Sequence, residues 1–195
     1  MTKSNFVYQL LRILLTPIFV FWYNPKIINK KVIPKKGSFI VCGNHRHFMD
    51  QFPVVISTTK TIHWLSKKEY FDGKYKLFFK SVGCISVDRA KHDGKALSKA
   101  LKCLKKGEVV GLFPEGTRNK TNEVLLEFKK GAVKMAQETN TPIIPFAITG
   151  EFKFRSKNLT LIFGNPIYVN KNEDLNSANK RLRNEILRLI DSNNQ

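Results

Sequence analysis

Short apolar runs alternate along this chain with stretches of helical periodicity, and this alternation restricts the fold more than any other feature. Residues 38–42, 62–66, 85–87, 108–113, 143–148 and 159–163 read as strands. Residues 50–57, 75–80 and 129–138 between them read as helices, the first with Pro53 in its opening turn. Ala96, Leu97, Ala100, Leu101 and Leu104 recur at helical spacing, with Lys95, Lys99, Lys102 and Lys106 on the opposite stripe and Gly107 as the stop. Leu182, Ile186, Leu189 and Ile190 define a closing amphipathic helix. Brief strands separated by helices predict an α/β fold, a mostly parallel sheet flanked by helices. A chain of 195 residues is long enough for one such domain, and no repeat or linker divides it.

The amino terminus does not fit this alternation. Residues 6–23, FVYQLLRILLTPIFVFWY, are almost wholly apolar, and Lys26, Lys30 and Lys31 follow. As a helix they would extend about 27 Å, short for a bilayer core. Arg12 near the middle would cost a spanning helix roughly 2.5–3.5 kcal/mol, and Gln9 and Pro17 weigh the same way. No small-residue cleavage site follows, so a removed signal peptide is not expected. The expectation is a membrane-anchoring helix in residues 1–30 and the α/β domain in 31–195. The helix would lie in the membrane plane, Trp22 and Tyr23 at headgroup level and the lysines on anionic lipid. An amphipathic helix buried against the domain is the competing reading. The corresponding location is the cytoplasmic face of the cell membrane, peripheral or monotopic.

A formal net charge of +19 calls for polyanionic partners: anionic lipid, an acidic carrier protein or nucleic acid. No nucleic-acid motif accompanies the charge, and the aromatic residues concentrate in the amino-terminal stretch and the apolar strands, so nucleic acid is not expected. Cys42, Cys84 and Cys103 are odd in number and widely spaced, which argues against a disulfide framework and fits a reducing cytosol.

The run Phe39 to Cys42 leads directly into NHRHFMD, residues 44–50. His45 and Asp50 would point about 140° apart in one continuous helix, and to opposite faces in a strand. They meet only across a turn between strand and helix, where Asp50 can fix one imidazole nitrogen and leave the other to take a proton. No serine or cysteine stands out as a covalent nucleophile, which leaves a substrate hydroxyl as a candidate for activation. Asp50 also suits a helix N-cap. His45 and His47 with Asp50 look like metal ligands, but only His63 and His92 remain elsewhere, neither in a ligand-like pattern, and no metal is expected. The stretch LFPEGTRN places Glu115 and Arg118 at the carboxyl edge of the sheet, where open α/β sheets bind ligands. Arg89, ending GCISVDR, is a solvated surface charge unless it meets Arg118 there, where the pair would hold phosphate; Lys129 and Lys130 open a later helix, either as an anion-favouring start or as a solvated face.

In combination these stretches resemble the glycerolipid acyltransferase family, and most closely its bacterial 1-acyl-sn-glycerol-3-phosphate (lysophosphatidate) acyltransferases. Asn44, His45 and Asp50 meet a first motif N-H-x-x-x-x-D, and Gly83, Ile85 and Arg89 a second, G-x-I-x-x-x-R. Phe113 to Arg118 match F-P-E-G-T-R at every position; Ile144, Pro145 and Phe146 match a fourth motif; Phe128, Lys129, Gly131 and Ala132 match F-K-x-G-A. The resemblance implies acyl transfer from acyl-ACP or acyl-CoA to the sn-2 hydroxyl of lysophosphatidate, giving phosphatidate, at a membrane and without a cofactor or metal. Another acceptor, such as glycerol 3-phosphate, a lysophospholipid or an amino-acid lipid, is the alternative. It assigns His45 as general base and Asp50 as its orienting partner. Arg89, Glu115, Gly116, Thr117 and Arg118 would bind or shape the acceptor site. His47 departs from the serine common at that position and is expected to touch the substrate or compete for Asp50.

Overall fold

The computed structural model describes residues 3–88, 94–156 and 158–192. Seven strands form one sheet in the order β1-β7-β6-β2-β5-β3-β4. They are β1 (Lys26–Ile28), β2 (Phe39–Gly43), β3 (Ile62–Lys67), β4 (Ile85–Val87), β5 (Val109–Leu112), β6 (Ile143–Thr149) and β7 (Thr160–Phe163). The sheet is parallel from β6 through β4; β7 runs antiparallel to β6 and carries β1 parallel to itself at the edge. Among the described residues the helices are α1 (Lys3–Tyr23), α2 (Gln51–Ser57), α3 (Glu69–Asp72), α4 (Lys76–Ser81), α5 (Gly94–Lys105), α6 (Gly131–Thr139) and α7 (Leu175–Asp191).

The two-residue period of a strand explains how the layers form. Ile40 and Cys42 of β2 face one apolar core with Val110 and Leu112 of β5, beneath α5, α6 and α7. Phe39 and Val41 point the other way, into a second core that takes in Val54 of α2 and Tyr8 and Phe19 of α1. All five residues of β2 are buried, as a central parallel strand covered on both faces requires.

β1 was not foreseen. Three residues opening with a lysine carry no usable periodicity, and they follow an apolar helix that reads as a separate unit. Yet Lys26–Ile28 pair with Thr160, Leu161 and Ile162, so the sheet begins inside the segment expected to serve only as an anchor.

α1 has two different faces. Tyr8 and Phe19 are buried, and Phe19 stacks on Phe52 of α2 with ring centroids 5.7 Å apart. Gln9 donates from Nε2 to Thr59 O at 2.8 Å and accepts from Arg12 Nε at 2.8 Å, so the polar residues that disfavour spanning have partners within the protein. Phe6, Ile13, Leu14, Ile18, Phe21 and Trp22 are exposed. Only 11% of an 18-residue window in the apolar stretch Asn5–Tyr23 is buried, so the helix docks by one narrow face. Tyr23 meets Phe152 edge-on at 5.6 Å, because it lies one turn beyond Phe19 on the docked face.

Candidate active site

The register between β2 and β5 sets the site. Cys42 lies opposite Leu112, so the two strands end at the same level and their next residues emerge side by side. The His45 imidazole accordingly stacks on the Phe113 ring, with centroids 3.9 Å apart and an interplanar angle of 10°. Both stand at the carboxyl edge of the parallel sheet, as the sequence predicts.

His45 Nδ1 lies 2.9 Å from Asp50 Oδ2. The same oxygen accepts the backbone N–H groups of Arg46 at 2.7 Å and His47 at 2.8 Å. Asp50 is only 2% exposed, and its side chain makes no capping bond to α2 although it precedes that helix. The N-cap reading therefore fails: the carboxylate turns back into the loop and gathers three donors from it. A carboxylate only accepts, so Nδ1 carries the proton shared with Asp50 and Nε2 keeps a free lone pair. The His45 side chain is 14% exposed, enough for one substrate group to reach it.

Two neighbouring motif residues act on backbone. Asn44, 3% exposed, donates from Nδ2 to Ile148 O at 2.8 Å and accepts from Ile148 N at 2.7 Å, bridging the turn to β6 as a peptide group would. Glu115, 4% exposed, accepts the N–H of His45 on Oε1 at 2.8 Å and that of Leu126 on Oε2 at 2.9 Å. Burial pushes its carboxyl up from the ordinary glutamate range, and the two backbone donors work against that shift. Glu115, expected to bind or shape the acceptor site, spends one oxygen on the histidine's own amide and the other on that of Leu126.

Asn119, passed over in the sequence, completes this bracing. Its N–H donates to His45 O at 2.6 Å, and its side chain closes the loop onto Thr121 and Glu123. An asparagine just past an arginine motif carries no local signal of contact with residue 45.

Gly116 sits at φ +71°, and a Cβ there would come within 2.8 Å of Lys129 Cε. The left-handed conformation and the lysine lying across the loop both favour glycine. Thr117 and Arg118 are exposed beyond it. Lys129, anchored through its N–H to Pro114 O at 2.8 Å, thus adds an ammonium group beside Gly116. Arg89 lies outside the described residues.

His47 does not compete for Asp50 with its ring. Only its N–H reaches that carboxylate, while the imidazole stacks on Phe152 at 4.5 Å and accepts from Met49 N at 3.3 Å. A surface hollow of about 870 Å³ between α7 and the stretch 165–167 opens at the opposite end of β6, where Ile167 bridges to Ile143, and has none of this chemistry.

The Acyltransferase family model matches residues 24–149, which hold the dyad and every brace just described. The chain belongs to the Acyltransferase family. It is an α/β acyltransferase enzyme. It is 32% identical over 149 residues to the 1-acyl-sn-glycerol-3-phosphate acyltransferase of Bacillus subtilis, covering 73% of each chain. It is 32% identical over 140 residues to the enzyme of the same name from Borreliella burgdorferi, where the match covers 70% of this chain and 56% of the relative. The solved structure of the 1-acyl-sn-glycerophosphate acyltransferase from Thermotoga maritima superposes with a TM-score of 0.78 at 22% identity, covering 97% of this chain and 80% of that one. This last likeness speaks to the fold.

Proposed function

We propose that this acyltransferase moves an acyl group from a thioester donor, acyl-ACP or acyl-CoA, to the sn-2 hydroxyl of lysophosphatidate, forming phosphatidate. The observation that carries the reading is the 2.9 Å contact between His45 Nδ1 and Asp50 Oδ2, which leaves Nε2 free at the sheet edge. The names of the Bacillus and Borreliella relatives support the acceptor.

His45 Nε2 takes the proton of the sn-2 hydroxyl as its oxygen attacks the thioester carbonyl carbon. A well-placed base contributes about 10²–10⁴ in rate, and Asp50 stabilises the imidazolium that forms. The tetrahedral adduct then collapses, the C–S bond breaks, and Nε2 returns the proton to the departing sulfur. Ester and thiol are the products, and no acyl-enzyme intervenes. Holding hydroxyl, base and thioester together replaces an encounter of separate molecules. Arg118 and Lys129 bind the acceptor phosphate with Arg89, the guanidinium groups acting as bidentate donors. Thr117 lines the same loop, Gly116 lets it pass under Lys129, and Glu115 shapes the site by fixing the backbone of His45.

Membrane attachment follows from the exposed side of α1. Phe6, Ile13, Leu14, Ile18, Phe21 and Trp22 enter the interface of the cytoplasmic leaflet while Tyr8 and Phe19 stay on the domain. Arg155, stacked 5.6 Å from the Phe21 ring, contacts anionic headgroups beside them. The decisive experiment is incubation of purified protein with lysophosphatidate and each donor, followed by product identification. Phosphatidate is the expected product. Acylation of glycerol 3-phosphate or of a zwitterionic lysophospholipid in its place would overturn the assignment.

A further inference from the structure

At the opposite, amino-terminal edge of the sheet, three potential ligand atoms converge that the acyl-transfer site does not use. They are a ring nitrogen of His63, Cys103 Sγ and a carboxylate oxygen of Glu108, all within 4.8 Å of one another. The sequence leaves His63 without a visible ligand pattern, since its companions lie about forty residues on, in α5 and in the turn after it.

Local structure fixes all three. Gly107, at φ +79°, ends α5 in a Schellman turn: Glu108 N donates to Cys103 O at 3.1 Å and Gly107 N to Leu104 O at 3.0 Å. That turn sets the Cys103 and Glu108 side chains next to each other. His63 stands near the start of β3, opposite Val110 of β5, and is 7% exposed. Its Nδ1 lies 2.7 Å from Gly83 O, which accepts the ring proton and leaves Nε2 as the lone-pair nitrogen. Nε2 is buried and has no hydrogen-bond partner among the described residues; Glu108 Oε2 lies 3.4 Å away but out of line for a bond. Two carboxylates or imidazoles face each other at such a distance in metal sites, because ligand arms of about 2.0–2.1 Å at a tetrahedral angle separate their atoms by about 3.3 Å. A backbone carbonyl holding the far nitrogen is the usual outer support of a metal-bound histidine.

We propose that His63, Cys103 and Glu108 bind a divalent cation of the zinc class, with water from the open side as fourth ligand. The nitrogen, sulfur and oxygen donors suit zinc over calcium or magnesium, which take oxygen. The ion pins the end of α5 to the starts of β3 and β5 and to the Gly83 turn, so its role is structural and separate from acyl transfer. The cation displaces the Cys103 thiol proton, which goes to solvent.

The test uses the full chain, cleared of metal with a chelator and titrated with Zn²⁺ or Co²⁺. One ion binds per chain, and at cation 100-fold above its Kd the melting temperature rises on the order of 5–10 °C. Co²⁺ gives a near-ultraviolet thiolate charge-transfer band. Cys103→Ser abolishes the band and His63→Gln weakens binding by at least about tenfold, whereas Cys84→Ser keeps both. Wild-type protein that binds no ion, or a folded Cys103→Ser that keeps the band and the thermal shift, would overturn the proposal. Should His63→Gln fail to fold, the partly exposed Cys103 still decides it.

Discussion

Replacing Asp50 by asparagine and by alanine separates its two tasks. One oxygen, Oδ2, receives three donors: His45 Nδ1 at 2.9 Å and the amides of Arg46 and His47 at 2.7 and 2.8 Å. Asparagine can place its carbonyl oxygen at that position and keep all three contacts while losing the charge. Bonds to a charged acceptor contribute about 1.5–3 kcal/mol and neutral ones about 0.5–1.5, so Asp50→Asn should cost about 1–2 kcal/mol in this partly solvated turn. The melting temperature then falls by about 3–6 °C. Alanine strands all three donors, a loss of about 3–5 kcal/mol and roughly twice the thermal shift or more. Activity follows a different order. Without the negative charge the imidazolium formed during acyl transfer loses its counter-ion, and kcat should drop by about 10²–10⁴ in both variants. Thermal melts and steady-state rates with lysophosphatidate measure the two effects on the same samples. If Asp50→Asn kept near-normal kcat, the carboxylate would not be supporting a base. Equal stability of the two variants would mean that the loop does not depend on Oδ2.

Other substitutions address the bracing and the acceptor. Asn44→Ala removes both bonds to Ile148 and leaves two buried backbone groups unpaired, a loss of about 2–4 kcal/mol visible in urea unfolding. Arg118→Ala should lower kcat/KM for lysophosphatidate about 10- to 100-fold while the KM for the donor stays put; a change confined to the donor would refute the phosphate role. Glu115 has a folded-state pKa above its unfolded value, so the native state holds the extra proton and stability falls as pH rises through that window. Glu115→Gln removes this slope, and unfolding measured from about pH 4 to about pH 7 should be flatter than in the wild type.

The strand-turn-helix around His45 is legible because its signals are local: a buried run, a polar turn and a helix start with Pro53 in its first turn. The odd spacing of five between His45 and Asp50 then forces the bend by which they meet. Glu115 was harder to read, since its partners are the amides of residues 45 and 126, and backbone donors leave no mark on a sequence. For the same reason Asn119 went unnoticed and Asn44 was visible as a motif but silent about Ile148. The edge strand β1 is too short to show periodicity, and its partner lies 134 residues away. α1 was read as lying in the membrane plane, yet only side-chain contacts reveal which residues turn inward: Tyr8, Phe19 and Tyr23 pack on the domain and Trp22 stays outside.

The measurement that bears most directly on the central claim is phosphatidate formation by His45→Ala, set beside its melting curve. The imidazole stacks on Phe113 but is not a main structural support, so the variant should melt within a few degrees of wild type and lose at least about 10²-fold in rate. A folded His45→Ala protein that still makes phosphatidate at close to the normal rate would mean that the proton goes elsewhere and that this dyad is not the engine of the reaction.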